Sequence, residues 1–177
     1  ELDSNAPLNE TQRRRVELIR EAGSHLLQII GELLDLTRIE SGQLAVTLSA
    51  LPLAPLLADC IEFVRAQADA AGVVLHFDAE DTPWSARADA TRLRQVVLNL
   101  LGNAIKYNRP EGSVRLRVRA DRDLVVPLVS DTGVGIAAAD LTTLFEPFHR
   151  GAHQHSTIEG SGIGLAVTRA LVELMGG

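Results

Sequence analysis

Cysteine, lysine, methionine, tryptophan and tyrosine each occur once in these 177 residues, and aromatic side chains make up only 3% of the chain. The lone Cys60 excludes an internal disulfide and a multi-cysteine zinc centre. Six aromatics are too few for a base-stacking platform. The acidic balance, 17 Lys+Arg against 23 Asp+Glu for a net charge of −6, opposes a duplex-binding module that works by neutralising phosphates. Nucleic acid is therefore not an expected partner. No apolar run approaches the roughly 20 residues that span a bilayer, and no secretory signal pattern opens the chain. The expected compartment is cytoplasmic with no membrane contact by this segment, any membrane anchor lying upstream. The length suits one domain with a short appendage.

Within the cations, the imbalance is informative: 16 of the 17 are arginine, and the one lysine, Lys106, stands beside the one tyrosine, Tyr107. Residues 9–40 read as a single long helix, with Asn9 or Thr11 as its cap. Val16, Ile19, Leu26, Ile30 and Leu33 recur on one stripe, which Ala22, Ile29 and Leu36 widen. So wide an apolar face requires a helical partner that residues 1–8 are too few to supply, so more chain is expected upstream. Ser41 and Gly42 stop this helix and place a boundary near 42. Beyond it the pattern predicts strands at 43–48, 73–77, 114–120 and 124–129, the last two as a hairpin. Helices are predicted at 54–71, 89–107, 137–144 and 162–175. The resulting α/β layout sets helices on one face of a mostly antiparallel sheet. Cys60 falls on the stripe Leu53, Leu56, Leu57, Ile61 and Val64, where a buried thiol is the expected reading. The chain stops at Gly177, where a capping glycine would turn toward a further strand, so the sheet is expected to be incomplete.

On helix 89–107, Asn99, Asn103, Lys106 and Tyr107 share one face, while Val96, Val97, Leu100, Leu101 and Ile105 take the others. On this helix alone a solvated polar face is the simpler reading. Two carboxamides and an ammonium are also the groups that suit a hydrated Mg²⁺ and phosphates. Two glycine-rich segments add weight to the second reading. Asp131-Thr132-Gly133-Val134-Gly135-Ile136 follows a strand, permits a tight turn and offers a carboxylate to an exocyclic amine, favouring adenine over guanine. Gly160-Ser161-Gly162-Ile163-Gly164 opens a helix, where free N–H groups and the helix dipole suit phosphate.

In this order the segments resemble the ATP-binding catalytic domain of sensor histidine kinases, within the Bergerat (GHKL) ATPases. The stretch from Asp89 through Lys106-Tyr107 resembles the N box, and 131–136 the first glycine box. Phe145-Glu146-Pro147-Phe148 resembles the F box, and 160–164 the second glycine box. Residues 33–42 resemble the end of the second helix of the dimerisation and histidine-phosphotransfer hairpin. The resemblance implies an α+β fold, a two-layer sandwich whose mixed sheet is covered by helices on one face, preceded by the hairpin helix. It assigns residues 1–42 to that hairpin and 43–177 to the catalytic domain.

The resemblance further implies ATP and Mg²⁺ as cofactors. It makes Asn103 the metal ligand, with Asn99 supporting metal and phosphates, Lys106 holding the triphosphate and Tyr107 lining the nucleotide. Asp131 would recognise the adenine amine, with Gly133, Gly135 and Ile136 shaping its pocket. Gly160, Ser161, Gly162 and Gly164 would close over the phosphates, and Arg150 would stand near the terminal phosphate. Residues 137–160 would form a mobile lid. Asn99 occupies the place where hydrolysing relatives carry a water-activating glutamate, and an amide is no general base. The expected acceptor is thus a protein side chain.

None of the five histidines has the sequence context of a phosphoryl acceptor. His25 and His76 read as packing or surface residues, and His149, His153 and His155 as solvated loop residues, since no further ligands complete a metal site. The expected partners are an upstream acceptor-histidine helix and sensor domain, a response-regulator receiver domain, and a second copy in a homodimer. A degenerate binding or dimerisation module is the alternative.

Overall fold

The structure, a computed structural model, describes residues 8–78, 84–121, 124–149 and 161–177. Helix α1 runs Glu10–Glu40. Its start is a reciprocal capping box: the Asn9 side chain accepts from Gln12 N–H at 2.9 Å, and Asn9 N–H donates to the Gln12 amide oxygen at 3.0 Å. Strand β1 (Ser49–Pro52) leads directly into helix α2 (Leu53–Ala71), and strand β2 (Val74–Asp78) follows. Next come β3 (Ser85–Ala88), helix α3 (Ala90–Lys106), β4 (Ser113–Asp121), β5 (Leu124–Asp131) and helix α4 (Gly164–Leu174).

Among the described residues the strands form two sheets. β1 and β3 pair antiparallel, and β2, β4 and β5 form a mixed sheet in which β2–β4 is parallel and β4–β5 antiparallel. On β4 the apolar residues Val114 and Leu116 are buried while Arg115, Arg117 and Arg119 face outward. One face of the sheet therefore belongs to the core and the other to water. The core face meets α2 and α3 through Leu53, Leu57, Cys60, Val97, Leu101, Val114 and Leu116. This is the expected two-layer sandwich, and the Cys60 stripe lies inside it. Burial pushes the Cys60 thiol up to about 11.

A second apolar cluster joins Leu36 of α1 to Val96 of α3 and to Ile163, Val167 and Leu171 at and along α4. Only the C-terminal part of α1 is packed in this way. Toward its N-terminus Val16, Leu18, Ile19 and Leu27 are exposed, Ile19 by 71%.

Three local expectations are corrected. Residues 43–48 form no strand: their extended alternation is real, but no strand lies opposite, and Thr47 N–H donates instead to the Asp89 carboxylate at 2.9 Å. Pairing begins only at Ser49, opposite Ala88, on a short β3 that carries no periodic signal of its own. Residues 137–144 are successive turns, not a helix, held by Asp140 N–H to Ala137 C=O and Thr143 N–H to Asp140 C=O. Thr142 and Thr143 turn their hydroxyls back onto Ala139 and Asp140 carbonyls and so compete with helical bonding. Finally, α4 begins at Gly164 where 162 was expected, because Gly162 has a φ of 70°.

Asp89 fixes the start of α3 by accepting from Thr91 and Arg92 N–H at 3.0 and 3.1 Å, in addition to the Thr47 bond. These bonds hold its carboxyl below the ordinary carboxylate value, Thr47 contributing most. A depressed folded-state pKa stabilises the fold above the unfolded value and is lost as pH falls through the folded one. Asp89→Ala is expected to cost about 1 kcal/mol near neutrality. In urea titrations the gap from the parent should narrow below about pH 4; a gap independent of pH would show that the charge is not what caps α3.

Candidate functional site

Helix α3 is the spine of the site. Leu93, Val97, Leu101 and Ile105 are buried against α2 and the sheet, so helical periodicity turns Asn99, Asn103 and Lys106 to the partly exposed side. Tyr107 closes the helix, its N–H bonded to Asn103 C=O at 2.9 Å, and the Lys106 ammonium stands 5.3 Å from the centre of its ring.

Both glycine segments dock on this helix, at different heights. The first meets its C-terminal end. Val134 N–H donates to Tyr107 C=O at 3.1 Å, and the Asp131 carboxylate accepts from Gly133 N–H at 2.8 Å in an Asx turn. A Cβ on Gly133 would intrude on both the Tyr107 carbonyl and the Asp131 carboxylate. Thr132 secures the turn from behind, its hydroxyl accepting from Ser113 N–H at 2.8 Å and donating to Asn108 at 3.1 Å. Asp131, Gly135 and Ile136 are exposed beyond the turn, and Gly135 has a φ of 72°.

The second segment meets the middle of α3. A Cβ on Gly164 would lie 2.6 Å from Asn99 Oδ1, and Asn99 Nδ2 donates to Thr168 Oγ1 at 2.7 Å. α4 begins here with no side-chain cap and no acidic residue in its first turn, so its leading N–H groups suit an anion. The backbone from the turn region is tied to this point, since Phe148 N–H donates to Gly162 C=O at 3.0 Å, with Phe148 at a left-handed φ of 63°. Val134, Ile136, Leu141, Phe145 and Phe148 leave large apolar side chains exposed along the intervening chain. Arg150 and Gly160 lie outside the described residues, as do His153 and His155.

Contacts from α1 were not anticipated. Asp35 takes Arg92 Nη1 at 3.2 Å and Gln95 Nε2 at 2.8 Å, while Arg92 also donates to Gln95 at 2.9 Å. Ser161 Oγ donates to Glu32 at 2.6 Å and accepts from Ile163 N–H at 3.1 Å. The side chain of Ser161, a residue expected to close over the phosphates, is thus engaged with α1. Arg92 and Gln95 stand three residues apart, a visible spacing, but nothing in the chain pattern couples them to an acid nearly sixty positions away. Between α1, α3 and α4 lies a cleft of about 480 Å³, bordered by Glu32, Asp35, Gln95, Asn99, Gly164 and Thr168. His149 is hydrogen-bonded to Thr143 at 2.9 Å, and among the described residues no group of three or more His, Cys, Asp or Glu side chains could hold a metal.

This arrangement has relatives. The sequence profile of the histidine kinase-, DNA gyrase B- and HSP90-like ATPases matches residues 88–177. The chain belongs to this ATPase family. It is 37% identical to the circadian input-output histidine kinase CikA of Synechococcus elongatus, over 97% of this chain and 23% of that protein. It is 32% identical to the histidine protein kinase DivJ of Caulobacter vibrioides, over 97% of this chain and 29% of that one. The chain thus spans about a quarter of the length of these relatives. The crystal structure of full-length ShkA in complex with AMPPNP superposes with a TM-score of 0.79 at 30% identity, covering 97% of this chain and 36% of that one. Within the family, this is an ATPase domain of the histidine-kinase type, with a long helix before it. Among the described residues no helix is long and apolar enough to cross a membrane.

The Asp35 clasp is a testable joint. Its ion pair is largely shielded from solvent, the Arg92 and Asp35 side chains being 21% and 17% exposed, and breaking it strands a charged guanidinium. Asp35→Ala should lower the unfolding free energy by about 1–2 kcal/mol and speed amide exchange over the last turns of α1. Exchange unchanged there would mean the apolar cluster alone holds the helix.

Proposed function

We propose that this chain is the cytoplasmic, ATP-binding catalytic part of a sensor histidine kinase. It binds Mg-ATP and passes the γ-phosphoryl group to a histidine outside residues 1–177, for relay to a response-regulator aspartate. Residues 1–42 end the dimerisation hairpin and 43–177 form the catalytic domain. The observation that carries this reading is the docking of two glycine segments against one polar helix face, with the open N-terminus of α4 beside Asn99. ATP and Mg²⁺ fit the groups there: N–H donors without a competing acid in the first turn, one ammonium, and neutral amide oxygens. When bound, Mg²⁺ would supply neutralisation of triphosphate charge.

Asn103 is assigned to the metal, Asn99 to metal and phosphates, and Lys106 to the triphosphate. Tyr107, Gly133, Gly135 and Ile136 line the base, whose amine Asp131 recognises. Gly160, Ser161, Gly162 and Gly164 wrap the phosphates, and Arg150 approaches the terminal one. Asn99 spends its amino group on Thr168 and has no basic lone pair for a water proton. Water is therefore not the favoured acceptor, and catalysis consists of positioning and charge neutralisation. The exposed apolar stripe of α1 is assigned to a second helix and a second copy in the complete protein.

Calorimetry with Mg-ATP tests the site. Asn103→Asp and Asp131→Asn are each expected to weaken binding at least tenfold, and incubation with γ-labelled ATP should leave the chain without acid-labile label. Affinity unchanged in both variants would overturn the assignment, and label on any of its histidines would overturn the external acceptor.

A further inference from the structure

Asn108, the residue after Tyr107, spends its whole carboxamide on the protein. Its Nδ2 donates to Ala104 C=O at 3.0 Å and Ser113 C=O at 3.1 Å, while its Oδ1 accepts from Arg109 N–H at 3.0 Å and from the Thr132 hydroxyl at 3.1 Å. Carbonyls only accept and a backbone N–H only donates, so a half-turn of this amide would set oxygen against two carbonyls and an amino group against an N–H. Its direction is fixed by the backbone. A Cβ on buried Gly112 would lie 2.1 Å from Asn108 Oδ1 and 2.8 Å from Thr132 Oγ1, so the bare glycine leaves the pair its room.

The amide in turn sets the Thr132 hydroxyl. Facing an oxygen that only accepts, the hydroxyl donates to Asn108, with Ser113 C=O a longer alternative at 3.5 Å, and its lone pair takes Ser113 N–H at 2.8 Å. That last bond ends the sheet. Val114 and Asp131 are the final pair of β4 and β5, and one position further Thr132 N–H still donates to Ser113 C=O at 3.1 Å. In a continued antiparallel ladder Ser113 N–H would return a bond to the Thr132 carbonyl. The hydroxyl takes that bond instead, and the chain turns off into Gly133. Asp131 stands at this departure, one carboxylate oxygen on Gly133 N–H and the other left for an amine.

We propose that Thr132, oriented by Asn108, is a positioning residue for base selection: by ending the ladder it sets where the Asp131 carboxylate meets the purine. This inference rests on the nucleotide reading above. Neither side chain is placed against the nucleotide; both act through the Asp131 turn.

Thr132→Val keeps the shape and loses the hydroxyl, which frees Ser113 N–H to extend the ladder by one pair, whereas Thr132→Ser keeps the hydroxyl. In calorimetry with Mg-AMPPNP and Mg-GMPPNP, the parent is expected to prefer the adenine nucleotide. Val should bind Mg-AMPPNP about tenfold more weakly with Mg-GMPPNP unchanged, and Ser should keep the parent's ratio within about twofold. Asn108→Leu, which keeps the branched shape, should behave as Val does. A loss of fold stability alone would weaken both nucleotides together and leave their ratio where it was. Without nucleotide, a through-hydrogen-bond NMR coupling from the Ser113 nitrogen to the Thr132 carbonyl carbon should be absent in the parent and Ser and appear in Val. A Val variant with the parent's ratio, or a Ser variant that loses it, would overturn the proposal. The coupling present in the parent, or absent in Val, would overturn it independently of any ligand. Couplings as expected in a parent that does not prefer Mg-AMPPNP would overturn the nucleotide reading of Asp131 and, with it, the purpose assigned to Thr132.

Discussion

Everything in the molecule follows from the two-sided character of α3. Leu93, Val97, Leu101 and Ile105 are sealed against α2 and the sheet, and Val96 is sealed against α1 and α4. With two directions committed to separate apolar clusters, the helix has no rotational freedom left. The remaining arc, bearing Asn99, Asn103 and Lys106, is presented at a fixed angle. Truncating a fully buried member such as Leu101 costs on the order of 2–5 kcal/mol, so the polar arc is held by far more energy than its own side chains could supply. Rigid apolar support beneath a few polar groups is how a site retains its geometry when it is empty.

The same helix shows how backbone chemistry is used to gather parts distant in the chain. Its first turn is capped by an acid that also captures the segment after α1, and the Tyr107 carbonyl at its end receives the first glycine segment. Gly164 and Thr168 approach its middle. Each docking is a hydrogen bond to a helix terminus or to one side chain, so short irregular loops become ordered at small cost in buried surface.

Much of this was legible in the residues alone. Long periodic elements with explicit stops, such as α1 between Asn9 and Ser41 or α3 behind Asp89, declare themselves because capping and burial act within a few residues. β3 did not, since its four residues are a strand only by virtue of β1. The turn region beyond Ile136 misled for the opposite reason: its apolar spacing suits a helix, but paired threonines spend their hydroxyls on the backbone. The polar arc and the glycine segments could be named from spacing and resemblance. The residues that connect them, Thr168, Glu32 and Asp35, could not, because each makes its decisive bond across tens of positions and no local pattern marks it.

The way α1 is held has a mechanical consequence. Ile29, Glu32, Asp35, Leu36 and Ile39 fall on one stripe, and through them the helix touches the second glycine segment, α3 and α4. Successive residues of a helix differ by about 100° around its axis, so a twist of that size would swing the whole stripe away at once. Bending the exposed N-terminal half would leave every one of these contacts in place. The contacts of this stripe therefore depend on the rotational setting of α1 about its axis, and not on the direction taken by its exposed half.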